Sequence, residues 1–335
     1  MKSRDLLWAA LAGVAVACTA YDHQSVLDPV GPQATSTRQL FYFMVAVAVI
    51  VYVIVVGALL LVIRNRRTAV DDPQSPAREA RAERTIKIAV AIVVPVLFVF
   101  LLYDFAVARV VGRMPEGSML TIDVTGHQWW WEVTYEDPIP HNIFHTANEI
   151  HIPVGRPVRI KLASHDVIHS FWVPNLSGKK DLIPGHADDI MIRADQPGIY
   201  RGQCAEFCGL EHAKMAMLVV AESPAEFTRW VQLQRQPAPA PVDSVAIAGQ
   251  RVFESGSCAM CHTIASTQAA ATVGPNLTHV AGRMTIAAGT LQNSRGNLAG
   301  WILDPQTIKP GAKMPANALA PAELQALLAY LGTLK

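Results

Sequence analysis

Charge is scarce in this 335-residue chain: Asp, Glu, Lys and Arg make up only 16% of it, and the net charge at pH 7 is +1. A chain so close to neutrality carries no global basic field, so nucleic acid is not an expected partner. Aromatic residues are few as well, at 7%, while apolar residues reach 51%. That balance is too apolar for an ordinary soluble protein and too polar for one held wholly in a membrane, so spans and soluble domains must share the chain. Length suggests two or three domains, at roughly 100–200 residues each. Cysteine is sparse and odd in number: Cys18 stands alone, and the others form two close pairs, Cys204 with Cys208 and Cys258 with Cys261. An odd count in an exported chain leaves a thiol over, which directs attention to what each pair does.

What is present begins with apolar runs. Residues 6–17 form a short one behind Lys2 and Arg4 that ends at Cys18. It falls short of the roughly 20 apolar residues a bilayer requires and has the layout of a signal peptide over residues 1–18. Ala15-Val16-Ala17-Cys18 is similar to a lipoprotein cleavage site, with Cys18 the residue to be acylated, although Ala15 stands where such sites usually carry Leu. An ordinary signal peptide with an incidental cysteine is the alternative. Two longer runs, about 40–63 and 88–108, are each long enough to cross as helices, with core helices of a soluble fold as the other reading. They predict a transmembrane hairpin over 38–110, with Pro95 placed to kink the second helix. The connection carries Arg64, Arg66, Arg67, Arg78, Arg81, Arg84 and Lys87, against Arg38, Arg109 and Arg113 on the opposite flanks. The positive-inside rule puts this connection in the cytoplasm and everything after about residue 110 on the far side. The expected location is a bacterial cytoplasmic (inner) membrane, with the lipid bilayer as a partner and the soluble domains on the periplasmic side.

From 121 to 220 the pattern changes to short alternating runs, 122–124, 150–154, 158–162 and 215–220, broken by Gly and Pro. These predict an all-β sandwich or Greek-key barrel over 117–235, closed by an amphipathic helix at 224–232. Pro237-Ala238-Pro239-Ala240-Pro241 forms a semi-rigid Pro/Ala linker at 236–243. Beyond it, 245–255 and 321–334 read as helices, with Pro321 suited to a helix start, so 244–335 is expected to be mainly α.

Cys258-Ala259-Met260-Cys261-His262 is a CxxCH motif. Its thiols suit addition to the vinyl groups of a haem on one turn, and the next histidine suits an axial nitrogen. Lys309-Pro310-Gly311-Ala312-Lys313-Met314-Pro315 offers Met314 as the sixth ligand, with Met284 as an alternative. With Gly274-Pro275-Asn276-Leu277 and a closing helix containing Leu327 and Tyr330, this segment resembles a class I cytochrome c. The resemblance implies a covalent haem c and a crossing of the first and last helices, bringing Gly249 and Phe253 near Tyr330.

The string Cys204-Ala205-Glu206-Phe207-Cys208-Gly209-Leu210-Glu211-His212-Ala213-Lys214-Met215 packs two thiols, an imidazole and a thioether into one loop. Soft sulfur with imidazole selects copper. A mononuclear blue site needs one cysteine, whereas two allow sulfur to bridge two metals, with His169 the best second histidine. A Cys204–Cys208 disulfide is the competing reading, but it leaves the spacing of His212 and Met215 without a purpose.

With Gly126-His127-Gln128-Trp129-Trp130-Trp131, Lys180-Asp181-Leu182-Ile183-Pro184-Gly185 and the two spans, these strings resemble cytochrome c oxidase subunit 2, whose CuA domain is a cupredoxin. The resemblance covers about residues 25–235, and the whole looks like the variant with a fused cytochrome c. It implies Cys204 and Cys208 as bridging ligands, His169 and His212 as terminal nitrogens, and Met215 as a weak ligand. It implies Glu206 as a carbonyl ligand whose carboxylate reaches a magnesium ion at the subunit 1 interface. Trp129 matches the tryptophan through which electrons enter, and packing of the aromatic cluster against the membrane surface is the other role weighed for the string. Glu79 and Glu83 lie near the place where the family often sets a glutamate at a proton channel, although loop charges are the plainer reading.

The implied function is an electron-transfer subunit of a haem-copper terminal oxidase. Electrons from cytochrome c or a quinol–cytochrome c reductase would pass through haem c to CuA and on to haem a of subunit 1. Oxygen would be reduced to water there, coupled to proton pumping, with subunit 3 a further partner. A tethered donor gains effective concentration at CuA without tight docking. A CuA-containing nitric oxide reductase subunit and a copper-delivery protein are the alternatives.

Overall fold

The computed structural model describes residues 24–65, 76–112 and 119–335. The expected signal peptide with Cys18 lies outside the described residues, as do Arg66 and Arg67 of the connection. The chain divides into two units, residues 35–113 and a second unit built from 1–34 with 114–335.

The first unit is a helical hairpin of α1 (Pro32–Asn65) and α2 (Pro76–Val111). Both helices outrun the apolar runs. In α2 the extra turns come from Ala-, Glu- and Arg-rich sequence of high helix propensity, supported by a Glu83–Lys87 pair at 2.5 Å. Glu79 lies in the first turn of α2, and Pro95 is accommodated within the helix. Phe43 of α1 meets Phe100 and Tyr103 of α2, with ring centroids 4.9 and 5.2 Å apart. By length and composition both helices can cross a membrane, and neither apolar window is buried within the protein. That exposure argues against core helices of a soluble fold and suits lipid contact.

Ten strands follow as two five-stranded sheets: β1 (Leu120–His127), β2 (Trp130–Tyr135), β3 (Phe144–Ala147), β4 (Glu149–Pro153), β5 (Val158–Ser164), β6 (His169–Trp172), β7 (Lys179–Leu182), β8 (Asp188–Ile192), β9 (Gly198–Cys204) and β10 (Ala216–Glu222). The sheet orders are β3-β2-β1-β5-β8 and β4-β10-β9-β6-β7. Alternation dictates the sandwich. In β5, Val158, Ile160 and Leu162 are buried while Arg159, Lys161 and Ala163 face out, and the buried set joins Ile122, Trp131, Ile150, Phe171 and Val219 in one core. The Tyr135 hydroxyl secures β4 by donating to the His151 carbonyl (2.8 Å) and accepting from its N–H (2.7 Å). Helix α3 (Pro224–Gln234) starts with a capping box from Ser223 and Glu226 and lays Trp230 on Tyr135 and His151.

After a coil over 236–243, α4 (Ser244–Ser255) begins where Asp243 accepts from the N–H groups of Val245 and Ala246. The short hairpin β11 (Thr285–Ile286) and β12 (Leu291–Gln292) precedes α5 (Arg295–Leu303), α6 (Pro305–Ile308) and α7 (Pro321–Leu331). Helices α4 and α7 cross at Gly249, with Phe253 against Tyr330 (6.2 Å between centroids), which matches the expected crossing. Ile264, Val280, Ile302 and Leu327 complete this smaller core.

Candidate copper and haem sites

The loop 205–215 joins two adjacent strands, and its own backbone closes it. The Cys204 N–H donates to the Met215 carbonyl at 2.8 Å, and the His212 N–H to the Gly209 carbonyl at 3.1 Å. Both cysteines, His212 and Met215 are therefore gathered at one end of the sheet. His169 arrives from β6, whose Phe171 pairs with Cys204 of β9. Gly126 of β1 leaves room for the imidazole, since a Cβ there would lie 2.7 Å from His169 Cδ2.

The two sulfurs stand 3.8 Å apart, with His169 Nδ1 3.9 Å from Cys204 Sγ and His212 Nδ1 3.6 Å from Cys208 Sγ. Met215 Sδ is 3.9 Å from Cys208 Sγ, and the Glu206 carbonyl is 3.1 Å from Cys204 Sγ. Both cysteines are free, so the disulfide reading finds no support. Cys204, Cys208, His169 and Met215 are buried, and five soft or borderline donors converge with one carbonyl oxygen, a set that fits copper.

Electrostatics prepare the ligands. The neighbouring Cys208 thiol, helped by His169 and two backbone contacts, outweighs burial and brings Cys204 down to about 3. The Cys204 thiolate and burial together push Cys208 well up, so the pair holds one proton that a metal cation would displace. His169 is raised: burial pulls it down, but contacts to Cys204 and Asp166 prevail. Asp166 accepts from His169 Nε2 at 2.9 Å, from the Gln128 N–H at 2.8 Å and from the Val167 N–H at 2.9 Å. Burial works against its ionisation, yet these bonds hold it at about 2. Its carboxylate fixes the proton on Nε2 and leaves Nδ1 facing sulfur, the arrangement that orients a metal-binding imidazole.

The three tryptophans separate in role. Trp131 is fully enclosed in the sandwich core, edge-on to Phe171 (6.2 Å), and Trp130 stacks on His127 (4.4 Å). Packing against the membrane surface is thus the wrong account of Trp131, because strand alternation points it inward. Trp129 Nε1 donates to the Cys208 carbonyl at 3.0 Å, beside Gln128 Nε2 at 2.8 Å.

In the α-helical domain, Cys258 lies on a 3-10 turn (Ser257–Met260) directly after α4. Cys258, Cys261, His262 and Met314 all line one cavity of ≈ 240 Å³. His262 Nδ1 donates to the Pro275 carbonyl at 2.7 Å, which leaves Nε2 as a free acceptor. Burial lowers this imidazole against the opposing effect of Pro275, keeping it neutral as a ligand must be. Met314 is in the wall, whereas Met284 is partly exposed and its backbone N–H is bonded to Glu149 Oε2 at 2.9 Å. A largely apolar cavity with paired thiols, one neutral imidazole and a thioether fits a covalent haem.

A family model described as "Cytochrome C oxidase subunit II, periplasmic domain" matches residues 139–222, and one described as "Cytochrome c" matches 246–335. Cytochrome c oxidase subunit 2 of Alkalihalophilus pseudofirmus is 33% identical over 329 residues, covering 95% of this chain and 93% of that one. The chain belongs to the cytochrome c oxidase subunit 2 family. The subunit 2 of Bacillus subtilis is 29% identical over 296 residues, covering 82% and 81%. A solved structure of the periplasmic domain of subunit II (CoxB) of Bradyrhizobium japonicum is 31% identical, covering 36% of this chain and 97% of that one at a TM-score of 0.34. As a family member with a fused cytochrome c domain, the chain has an electron-transfer role in a haem-copper oxidase, alongside other oxidase subunits.

Several residues at these sites were not singled out from the sequence. Asp166, three positions before His169, carries a local signal, since metal-binding histidines usually lean on a carboxylate. Gln128 and Lys309 carry none, because their partners Cys208 and Trp129 stand 80 and 180 positions away.

Proposed function

We propose that this chain receives electrons at a haem c and delivers them through a two-copper centre to a large oxidase subunit. In this reading 38–110 anchors the chain, 117–235 holds copper, and 244–335 holds haem across the linker 236–243. The observation that carries it is the position of Trp129. The indole lines the cavity that contains the CxxCH residues and also bonds the Cys208 carbonyl in the copper loop.

His169, Cys204, Glu206, Cys208, His212 and Met215 would hold the copper pair, with Asp166 orienting His169. Cys258 and Cys261 would hold the haem covalently, with His262 and Met314 supplying a nitrogen and a thioether to it. When bound, the two groups supply one-electron couples that relay electrons from a cytochrome c donor to haem a of subunit 1, where oxygen is reduced and protons are pumped. Trp129 offers a bonded bridge from cavity wall to copper loop, and the buried ligand cluster keeps water from the sulfurs. The Glu206 carboxylate would reach magnesium at the subunit 1 interface. By the positive-inside rule, the arginine-rich connection supports both soluble domains lying on the outer face of the cytoplasmic membrane, where subunits 1 and 3 are the expected neighbours.

Purification of the complex from its native membrane tests this. The expected result is two coppers and one haem c per chain, a mixed-valence copper spectrum, and oxygen uptake from reduced cytochrome c. One copper or none per chain would sink the copper assignment, and reduction of nitric oxide in place of oxygen would move the chain to another reductase.

A further inference from the structure

A lysine enclosed where two domains meet needs a reason, because burial of an ammonium group is costly unless its donors are satisfied. Lys309 is 3% exposed, precedes the Met314 loop, and its Nζ reaches out of its own domain. It donates to the Trp129 carbonyl at 2.7 Å and the Lys214 carbonyl at 2.9 Å, both on the β-sandwich, with the Ala287 carbonyl of its own domain at 3.4 Å. Lys214 answers in the opposite direction, donating from Nζ to the Ile308 carbonyl at 2.7 Å. Each lysine thus bonds the backbone beside the other. One stands next to Met215 of the copper loop, the other leads into the loop that ends at Met314.

Backbone bonds cross the same border. The Ala216 N–H donates to the Ala288 carbonyl at 3.0 Å, and the Met284 N–H to Glu149 Oε2 at 2.9 Å. The cavity wall itself is mixed, since Gln128, Trp129, Trp130 and Asn148 of the sandwich face Cys258 and Met314 across it. A domain swinging freely on its linker would have to break these bonds in every cycle and reopen its own cavity.

From this geometry we infer that Lys309 is a positioning residue: with Lys214 it clasps the cytochrome domain to the copper domain, so the fused donor works from one fixed dock with Trp129 half-buried between the two sites. This rests on the electron-transfer reading above and replaces the tethered, loosely docking donor with a locked one. With the Gly311 turn already packed on the Trp129 ring, a soluble donor then delivers at the haem. Lys309 lines the haem cavity, but its Nζ is turned to the backbone carbonyls of Trp129, Lys214 and Ala287, so it acts through Trp129 and Lys214.

Hydrogen exchange on the intact oxidase tests the clasp without depending on turnover. In the wild type, the peptides containing the Ala216 and Met284 amides are expected to exchange together and slowly. In Lys309→Met, which keeps the stem and removes the donors, their protection falls by about 10- to 100-fold, the fold-change expected for losing charged hydrogen bonds. Protection in the β1–β5 ladder stays as in the wild type and reports an intact fold. A second readout is the haem-to-copper electron-transfer rate after flash reduction, measured against solvent viscosity. The wild-type rate is expected to ignore viscosity, and Lys309→Met to become slower and viscosity-dependent.

Fast exchange of both amides in the wild type overturns the inference even if the variant does not assemble, as does a viscosity-dependent wild-type rate. Protection unchanged in Lys309→Met also overturns it. Missing copper or haem, by contrast, would count against the electron-transfer reading and leave the exchange result standing.

Discussion

Gly249 offers the most direct test of how the cytochrome domain is built. A Cβ at this position would lie 1.9 Å from the Ala326 carbonyl oxygen, 2.5 Å from its carbon and 2.8 Å from Tyr330 Cβ. Carbon and carbonyl oxygen approach comfortably only to about 3.3 Å, so Gly249→Ala forces α7 back by about 1.4 Å. The obstacle is helix backbone and cannot rotate away, which puts the strain at the upper end of overpacking, about 3 kcal/mol. Alanine returns about 1 kcal/mol through its better helix propensity, leaving a net loss of about 2 kcal/mol. For a domain of about 90 residues, that lowers the melting temperature by roughly 10 °C. Thermal unfolding of the full chain followed by haem absorbance measures it, with Gly296→Ala in α5 as the control, since no atom outside its own helix and chain neighbours lies within 4 Å of a Cβ there. A Gly249→Ala shift below about 3 °C, or an equal loss in Gly296→Ala, would refute the close-crossing argument.

Asp166→Asn removes the carboxylate that orients His169, and copper retention against a chelator is expected to drop about 10- to 100-fold while the fold remains; retention equal to wild type would show that His169 needs no such support. Trp129→Phe loses the bond to the Cys208 carbonyl, which Gln128 still satisfies, so thermal stability should hold while flash-initiated copper reduction slows. An unchanged rate would remove Trp129 from the route. His151 is raised above its ordinary value: burial opposes this, but bonds to Glu149 (3.1 Å) and Glu222 (2.9 Å) prevail. Its stabilisation is therefore complete below about pH 6.5 and is lost as pH rises through the higher folded value. The melting-temperature gap between wild type and His151→Gln should narrow upward from pH 6.5, and a gap that widens would reverse the sign of the argument.

Metal chemistry was the most legible part of the chain because its ligands crowd into short strings. The copper loop lies within twelve residues and the haem attachment within five, so spacing alone carries the chemistry. His169 was harder, a best candidate from outside the loop, because only the β6–β9 pairing brings it to Cys204. Strands were under-read for a physical reason. Edge strands such as β7, Lys179–Leu182, expose Lys179 and Asp181 and bury only Leu182, so alternation is too weak to stand out. The membrane helices were underestimated in length because hydropathy stops at the apolar window while Ala, Glu and Arg continue the helix. Lys309 was invisible as a clasp, since its partner Trp129 stands 180 positions away.

The mixed wall of the haem cavity has a consequence for inheritance. A Pro/Ala linker makes the chain look modular, as if any cytochrome could be spliced onto any copper domain. With Trp129, Trp130 and Asn148 completing the neighbouring cavity, a grafted cytochrome would arrive with one side of its pocket unmatched. A substitution on the sandwich side of the wall is therefore felt inside the cytochrome pocket, and the two domains behave as one fitted unit rather than as exchangeable parts.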